Sequence, residues 1–433
     1  MKRIDNDKFK ETIYTDVLEN GLQVFIIHKP EYASSSALFA VPYGSLDYKQ
    51  TISDNKFFVQ PGAAHFLEHK LFEDEEGDIM GLFSAMGANV NAFTSYNETV
   101  YYFSTSNSNI DKPLNLLLDF VQQLRINDES VEKEKGIITQ ELLMYKQMPD
   151  SRLLNEALKA LFHDFPLKHD IGGTVESVTA ITTEELTKAH EYNYHPANMK
   201  LVIVTGNDPK HILDIVKSNQ SKKIFSDFSP LKRQVYDEPY EVVSNNVTIN
   251  MDVSQPKVCL AYKMKVVNES DEQRNKNEWA LRFIMESYFS GLNEEYQKWL
   301  DDRIITDYFG YDVDLTADYA ILLFFNETDN VELFSRTLDA QLKQMKKGLI
   351  EVDQINQLKK RYFGQTLRIF NNINDIGVSY VRSIINKIDL FRSIELINEV
   401  DIETILEALK RVDLNNSSLI TIKKEGVKQD DRT

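Results

Sequence analysis

The stretch Ala63-Ala64-His65-Phe66-Leu67-Glu68-His69-Lys70-Leu71-Phe72 decides how this chain is read. It contains neither proline nor glycine, and its apolar residues recur with a helical period. On a helix, residues four apart stack one turn above the other, so His65 and His69 project from one face and can share a cation. Glu68, three residues after His65, points to the same side, where it can take a proton from a metal-bound water without binding the metal. Imidazole together with carboxylate suits zinc, in a tetrahedral site that keeps one position for water. The alternative reading of the motif is a buried structural histidine pair.

A third ligand must come from elsewhere, and the helical pattern at 130–147 offers candidates. Glu134 and Glu141 are seven apart, two turns along one stripe, with Ile138 between them and Leu142 beside them. A carboxylate on an apolar stripe needs a partner, because burying it alone is costly. Metal coordination by Glu141, with Glu134 behind it as acceptor for a ligating histidine, satisfies both. Pairing of either glutamate with a lysine on a solvated face is the alternative.

Outward from these two helices, the chain is long enough for two domains: it has 433 residues, 42% apolar and 27% charged. Strand patterns at 22–29, 36–44, 88–94, 100–106 and 200–206 are interleaved with helical ones at 62–75, 78–86, 112–124, 130–147, 151–162 and 183–192. A polar stretch with Ser229-Pro230 and Glu238-Pro239 follows. Beyond it, strands at 240–253, 257–266, 306–315 and 319–326 alternate with helices, and a last strand falls at 418–423, before a tail expected to be disordered. The order of elements repeats, which predicts an α+β protein of two structurally related halves, each a mostly antiparallel sheet packed with helices. The expected division is 1–217 for the zinc-binding domain, 218–239 for a linker and 240–433 for a related domain without the metal motif.

The formal net charge of −18 argues against nucleic acid as a partner, and no Lys/Arg-rich run contradicts this. It favours basic peptides only weakly. No glycine-rich phosphate cradle follows a strand. The single cysteine, Cys259, sits in an apolar run and reads as a core thiol. No secretion signal opens the sequence and no run is long enough to cross a membrane, so the expected location is cytoplasmic, without a membrane partner.

The metal motif and the Glu134/Glu141 helix resemble those of the pitrilysin/insulinase family of inverted zinc metallopeptidases. So do Gly87-Ala88-Asn89-Val90-Asn91-Ala92-Phe93-Thr94-Ser95, Thr99-Val100-Tyr101-Tyr102-Phe103 and Tyr194-His195-Pro196-Ala197-Asn198-Met199. The similarity is greatest to the bacterial YmfH-like branch, in which a zinc-bearing chain occurs with a homologous chain lacking the motif. The resemblance implies that His65, His69 and Glu141 bind Zn2+ and that Glu68 is the base. It also implies that Asn91, Ala92 and Phe93 lie on an edge strand to which a substrate peptide adds. An ordinary strand after a turn is the plainer reading of that segment. Two such halves, or a pair of such chains, would close like a clam shell around a peptide.

One departure stands out. Many family members carry in the C-terminal half an Arg and, seven residues on, a Tyr that stabilise the oxyanion. Here Tyr308 fits, but Asp301 occupies the Arg position, with Arg303 as a substitute in another register. A homologous partner chain that supplies the missing pair is the simpler implication, and a non-catalytic or partner-dependent subunit of a heterodimeric processing peptidase is the rival to an active endopeptidase. The remaining histidines, His28, His163, His169, His190, His195 and His211, lack ligand spacing with one another. Gly172-Gly173 matches a family loop but is explained by turn geometry.

Overall fold

The computed structural model describes residues 1–52, 55–74 and 77–424. Apart from Lys424, the expected disordered tail lies outside them. The protein is α+β and divides into two compact units that are not contiguous in sequence. The first comprises Met1–Leu142, His169–Val235 and Leu367–Leu390; the second comprises Leu143–Lys168, Tyr236–Thr366 and the chain from Phe391 on.

The first unit is built on seven strands: β1 (Lys2–Asn6), β2 (Glu11–Val17), β3 (Gln23–His28), β4 (Ser34–Val41), β5 (Asn89–Thr94), β6 (Thr99–Ser106) and β7 (Lys200–Thr205). Their order is β1-β2-β3-β7-β4-β6-β5. Only β7 and β3 run parallel; the other neighbours are antiparallel. β4 is buried along nearly its whole length because both faces of the sheet are covered. One face carries the core that includes Phe66, Leu67, Tyr101, Phe103 and Leu117. On the other lies the helix Ile373–Ile385, packed on β4 and β7. There Gly377 permits the approach, since a Cβ in its place would sit 2.3 Å from Leu38 Cδ1.

The second unit holds β8 (Asn246–Met251), β9 (Lys257–Lys263), β10 (Gly310–Leu315), β11 (Ala320–Glu327) and β12 (Ser417–Lys424), ordered β8-β12-β9-β11-β10. Only β8 and β12 are parallel. Its sheet is covered in part by helix Pro149–Leu161, which packs on β9 and β12. Each sheet is therefore faced by a helix distant in sequence from its strands. Cys259 of β9 is fully buried, and burial pushes its thiol up.

Several elements escaped the sequence reading, β1, β2 and helix Pro209–Gln220 among them. β1 is almost wholly exposed and β2 buries Glu11 against Lys29, so neither shows an apolar alternation. Helix Pro209–Gln220 lies partly in the stretch that reads as polar, although Asp208 accepts from the Lys210 N–H and Pro209 stands at its first turn. The stretch after it contributes a short strand, Leu231–Arg233, paired with Lys49–Ile52, and Arg233 Nε donates to Asp47 at 2.8 Å.

Candidate metal centre

The motif forms helix α1 (Ala63–Leu71). It buries Ala63, Ala64, Phe66, Leu67, Lys70 and Leu71 and leaves His65, Glu68 and His69 on the half-buried side. The helix begins at Gly62, whose φ of 95° lies in the left-handed region and whose position leaves no room for a side chain: a Cβ would come 2.4 Å from the carbonyl oxygen of Gly172. At the other end the buried Lys70 ammonium donates to Glu73 and to the Ser130 carbonyl, 3.3 Å away. That bond fixes the start of helix α2 (Asp128–Gln147) against α1. Reciprocal bonds between Asn127 and Ser130, of 2.9 and 3.2 Å, cap α2.

So placed, α2 aims its glutamates at the histidines. His65 Nε2 lies 3.9 Å and His69 Nε2 3.5 Å from Glu141 Oε2. Two ligands of one tetrahedral zinc, with bonds of about 2.0–2.2 Å, are about 3.3–3.6 Å apart. One donor atom from each of the three residues lies within 4.8 Å of the others, and among the described residues this is the one such group of His, Cys, Asp and Glu. Glu134 is buried, and its Oε1 lies 2.9 Å from His69 Nδ1. With Nδ1–H donated to that carboxylate, the His69 Nε2 lone pair faces Glu141. The donor set, two imidazoles and a carboxylate with one nitrogen orientation already fixed, fits zinc.

Electrostatics agree with this arrangement. Burial, and then the neighbouring His69, hold the His65 imidazole down to about 4, so that it is neutral and able to ligate. Burial, the largest single influence, opposes charge on His69, but the Glu134 bond and the charges of Glu134, Glu141 and Glu68 together outweigh it and the net shift is upward. The Glu68 carboxyl is raised, because burial outweighs the bond from the Thr94 hydroxyl. Thr94 Oγ1 donates to Glu68 Oε2 at 2.5 Å.

The structure brings His65, His69, Glu141, Glu134 and Glu68 together in the first unit, with Asn91, Ala92 and Phe93 on β5 at the sheet edge. Among the described residues no strand pairs with the outer side of β5. Tyr308 belongs to the second unit, where its hydroxyl donates to Asp150 at 2.6 Å and the Lys257 ammonium lies 4.1 Å from its ring centroid. Asp301 accepts from Gln297 at 2.9 Å, and Arg303 adopts a φ of 54°. Two residues at the metal centre were given no role there from sequence. Thr94 lay within the quoted strand motif, but its bond to Glu68 depends on strand placement. Gly172 packs beside His65, where a Cβ would lie 3.5 Å from Nδ1.

Residues 23–175 match the insulinase (peptidase family M16) domain and 180–362 the domain described as peptidase M16 inactive domain. The chain belongs to the insulinase family of peptidases, family M16. It is 33% identical over 393 residues to the uncharacterized zinc protease YmfH of Bacillus subtilis, covering 90% of this chain and 91% of that one. The crystal structure of an M16-like protein from Alicyclobacillus acidocaldarius superposes with a TM-score of 0.91 at 29% identity, over 96% of this chain and 99% of that one. The fold also matches the periplasmic protease PqqL of Escherichia coli, with a TM-score of 0.73 and 19% identity, over 98% of this chain but 48% of PqqL.

Proposed function

We propose that the protein is a zinc-dependent endopeptidase that hydrolyses peptides, with His65, His69 and Glu141 as the metal ligands and Glu68 as the general base. The observation that carries this reading is the convergence of His65 Nε2, His69 Nε2 and Glu141 Oε2 beside the half-buried Glu68. A zinc ion held there supplies a Lewis acid for the scissile carbonyl and lowers the pKa of a bound water to about 7. Glu68 takes the proton of the attacking water and hands it to the leaving nitrogen. Its raised pKa makes it a better proton acceptor than an exposed carboxylate. Asn91, Ala92 and Phe93 bind the substrate backbone as an added strand on the β5 edge.

A homologous partner chain completes the enzyme on this reading. Asp301 cannot serve as the cation beside an oxyanion, the Tyr308 hydroxyl is bonded to Asp150, and PqqL holds about twice this chain's length. We place the protein in the cytoplasm as part of the same proposal; no helix among the described residues is long and apolar enough to cross a membrane. The test is metal analysis together with chelator-sensitive cleavage of a mixed peptide pool, with and without the homologous chain. A preparation that never takes up metal overturns the reading.

A further inference from the structure

Strand β5 ends on the residue that holds the base. Thr94 is the last residue of β5, and its hydroxyl donates to Glu68 Oε2 at 2.5 Å. The Ser95 N–H bonds to the Glu98 carbonyl at 2.8 Å and closes the β5–β6 hairpin, whose register pairs Thr94 with Thr99 and Ala92 with Tyr101. Bonded and non-bonded pairs alternate along an antiparallel ladder, so the N–H groups of Thr94 and Ala92 point away from β6, toward the free edge. The Ala92 N–H is accordingly taken by the side chain of Asn91, at 2.8 Å, and not by β6. The unpaired edge therefore runs directly to Glu68.

The hairpin is anchored on its inner side. Ser45 and Leu46 donate their N–H groups to the carbonyls of Ser95 and Tyr96, each at 3.0 Å, and the buried Thr99 hydroxyl donates to the Tyr43 carbonyl at 2.9 Å. Gly44 allows this contact, since a Cβ there would meet Tyr96 O at 2.5 Å. Thr94 is thus fixed relative to the core, while a glutamate side chain on its own has three torsions to wander through. Behind it the phenols of Tyr101 and Tyr194, 2.9 Å apart, are fully buried and kept neutral by that burial.

We infer that Thr94 is a positioning residue for Glu68. Its hydroxyl holds Oε2 of the carboxylate, so a peptide captured along β5 meets a base that the same strand has oriented. This deepens the peptidase reading and rests on it. Thr94→Val removes the hydroxyl and keeps the β-branched shape; Thr94→Ser keeps the hydroxyl. Thr94→Val is expected to lower kcat on the order of a hundredfold, the scale of a misplaced catalytic group. KM and bound metal are expected to stay within about twofold, since neither depends on base orientation, and Thr94→Ser to recover most of kcat. Crystal structures of the metal-free proteins give a readout without turnover: Glu68 keeps its rotamer in the wild type and Thr94→Ser and leaves it in Thr94→Val. A Glu68 rotamer unchanged in Thr94→Val overturns the inference, and so does a Thr94→Ser enzyme as slow as Thr94→Val. If the wild-type protein cleaves no peptide even with the homologous chain present, the peptidase reading fails and the rotamer comparison alone decides the role of Thr94.

Discussion

His69 Nδ1 lies 2.9 Å from Oε1 of the buried Glu134, and this bond determines which nitrogen of the ring is left for a metal. Glu134 makes no approach to the other donors comparable to that of Glu141, so its effect on the metal is exerted through the imidazole. Glu134→Ala is therefore expected to weaken zinc binding by about 10–100-fold without removing a ligand. Competition with a chromogenic chelator measures this. An affinity equal to that of the wild type would falsify the role assigned to Glu134.

Replacing the base separates metal binding from chemistry. Glu68→Gln keeps the volume and the contact with Thr94 but cannot accept a proton, so turnover is expected to fall by about 10²–10⁴ while zinc content stays at the wild-type level. Single-turnover cleavage alongside elemental analysis checks both halves. Full activity in Glu68→Gln would rule out the proposed mechanism.

On the proposed reading the chain purified alone is expected to cleave peptides slowly, because the family resemblance puts Asp301 at the position of the oxyanion-binding Arg. Loss of one such donor costs about 10²–10³ in kcat. Adding the homologous chain should restore that factor. Titrating one chain against the other at fixed peptide measures it, and robust turnover by the isolated chain would sink the partner requirement.

Gly62 couples the fold to the metal centre. Gly62→Ala has to accommodate a φ of 95° and a Cβ that would lie 2.4 Å from the Gly172 carbonyl. The left-handed backbone alone costs about 1–2 kcal/mol, so thermal melting should reveal a loss of at least that size. Because the start of α1 must shift, zinc affinity is expected to fall with stability. A variant with wild-type melting temperature and zinc affinity contradicts this.

Acid sensitivity in the second unit centres on Glu238. Burial raises its carboxyl, but Lys263 Nζ at 2.6 Å and the N–H groups of His163, Asp164 and Phe165, at 2.8, 2.7 and 2.7 Å, outweigh it and the net shift is downward. Its folded pKa is thus below the ordinary value of 4.5, so its stabilisation is fully present above about that pH and is lost as pH falls through the folded pKa. Removing one partner of such a pair, here with the buried Lys263 left behind, costs about 3–5 kcal/mol near neutrality. Denaturant melts of Glu238→Ala should show that loss at pH 7 and a flatter acid limb than the wild type between pH 5 and 3; parallel acid limbs would refute the assignment.

What the sequence determined by itself was local. The four-residue spacing of His65 and His69 and the position of Glu68 between them follow from helical geometry, which needs no tertiary contact. The α+β class and most element positions followed from periodicity, and β1 and β2 did not, because exposed polar residues and the buried Glu11–Lys29 pair carry no apolar alternation. For Glu134 and Glu141, the common stripe and a division of roles between metal and ligating histidine were readable, beside the alternative of lysine pairs on a solvated face, whereas the atoms each one meets were not. Only the tertiary structure decided that Glu134 meets Nδ1 of His69 and Glu141 the two Nε2 atoms, since that depends on how Lys70 and Ser130 set α2 against α1. The same holds for the grip of Thr94 on Glu68 and for helices that cover sheets distant from them in sequence: such contacts are fixed by packing between remote segments, and no local pattern of residues encodes their distances.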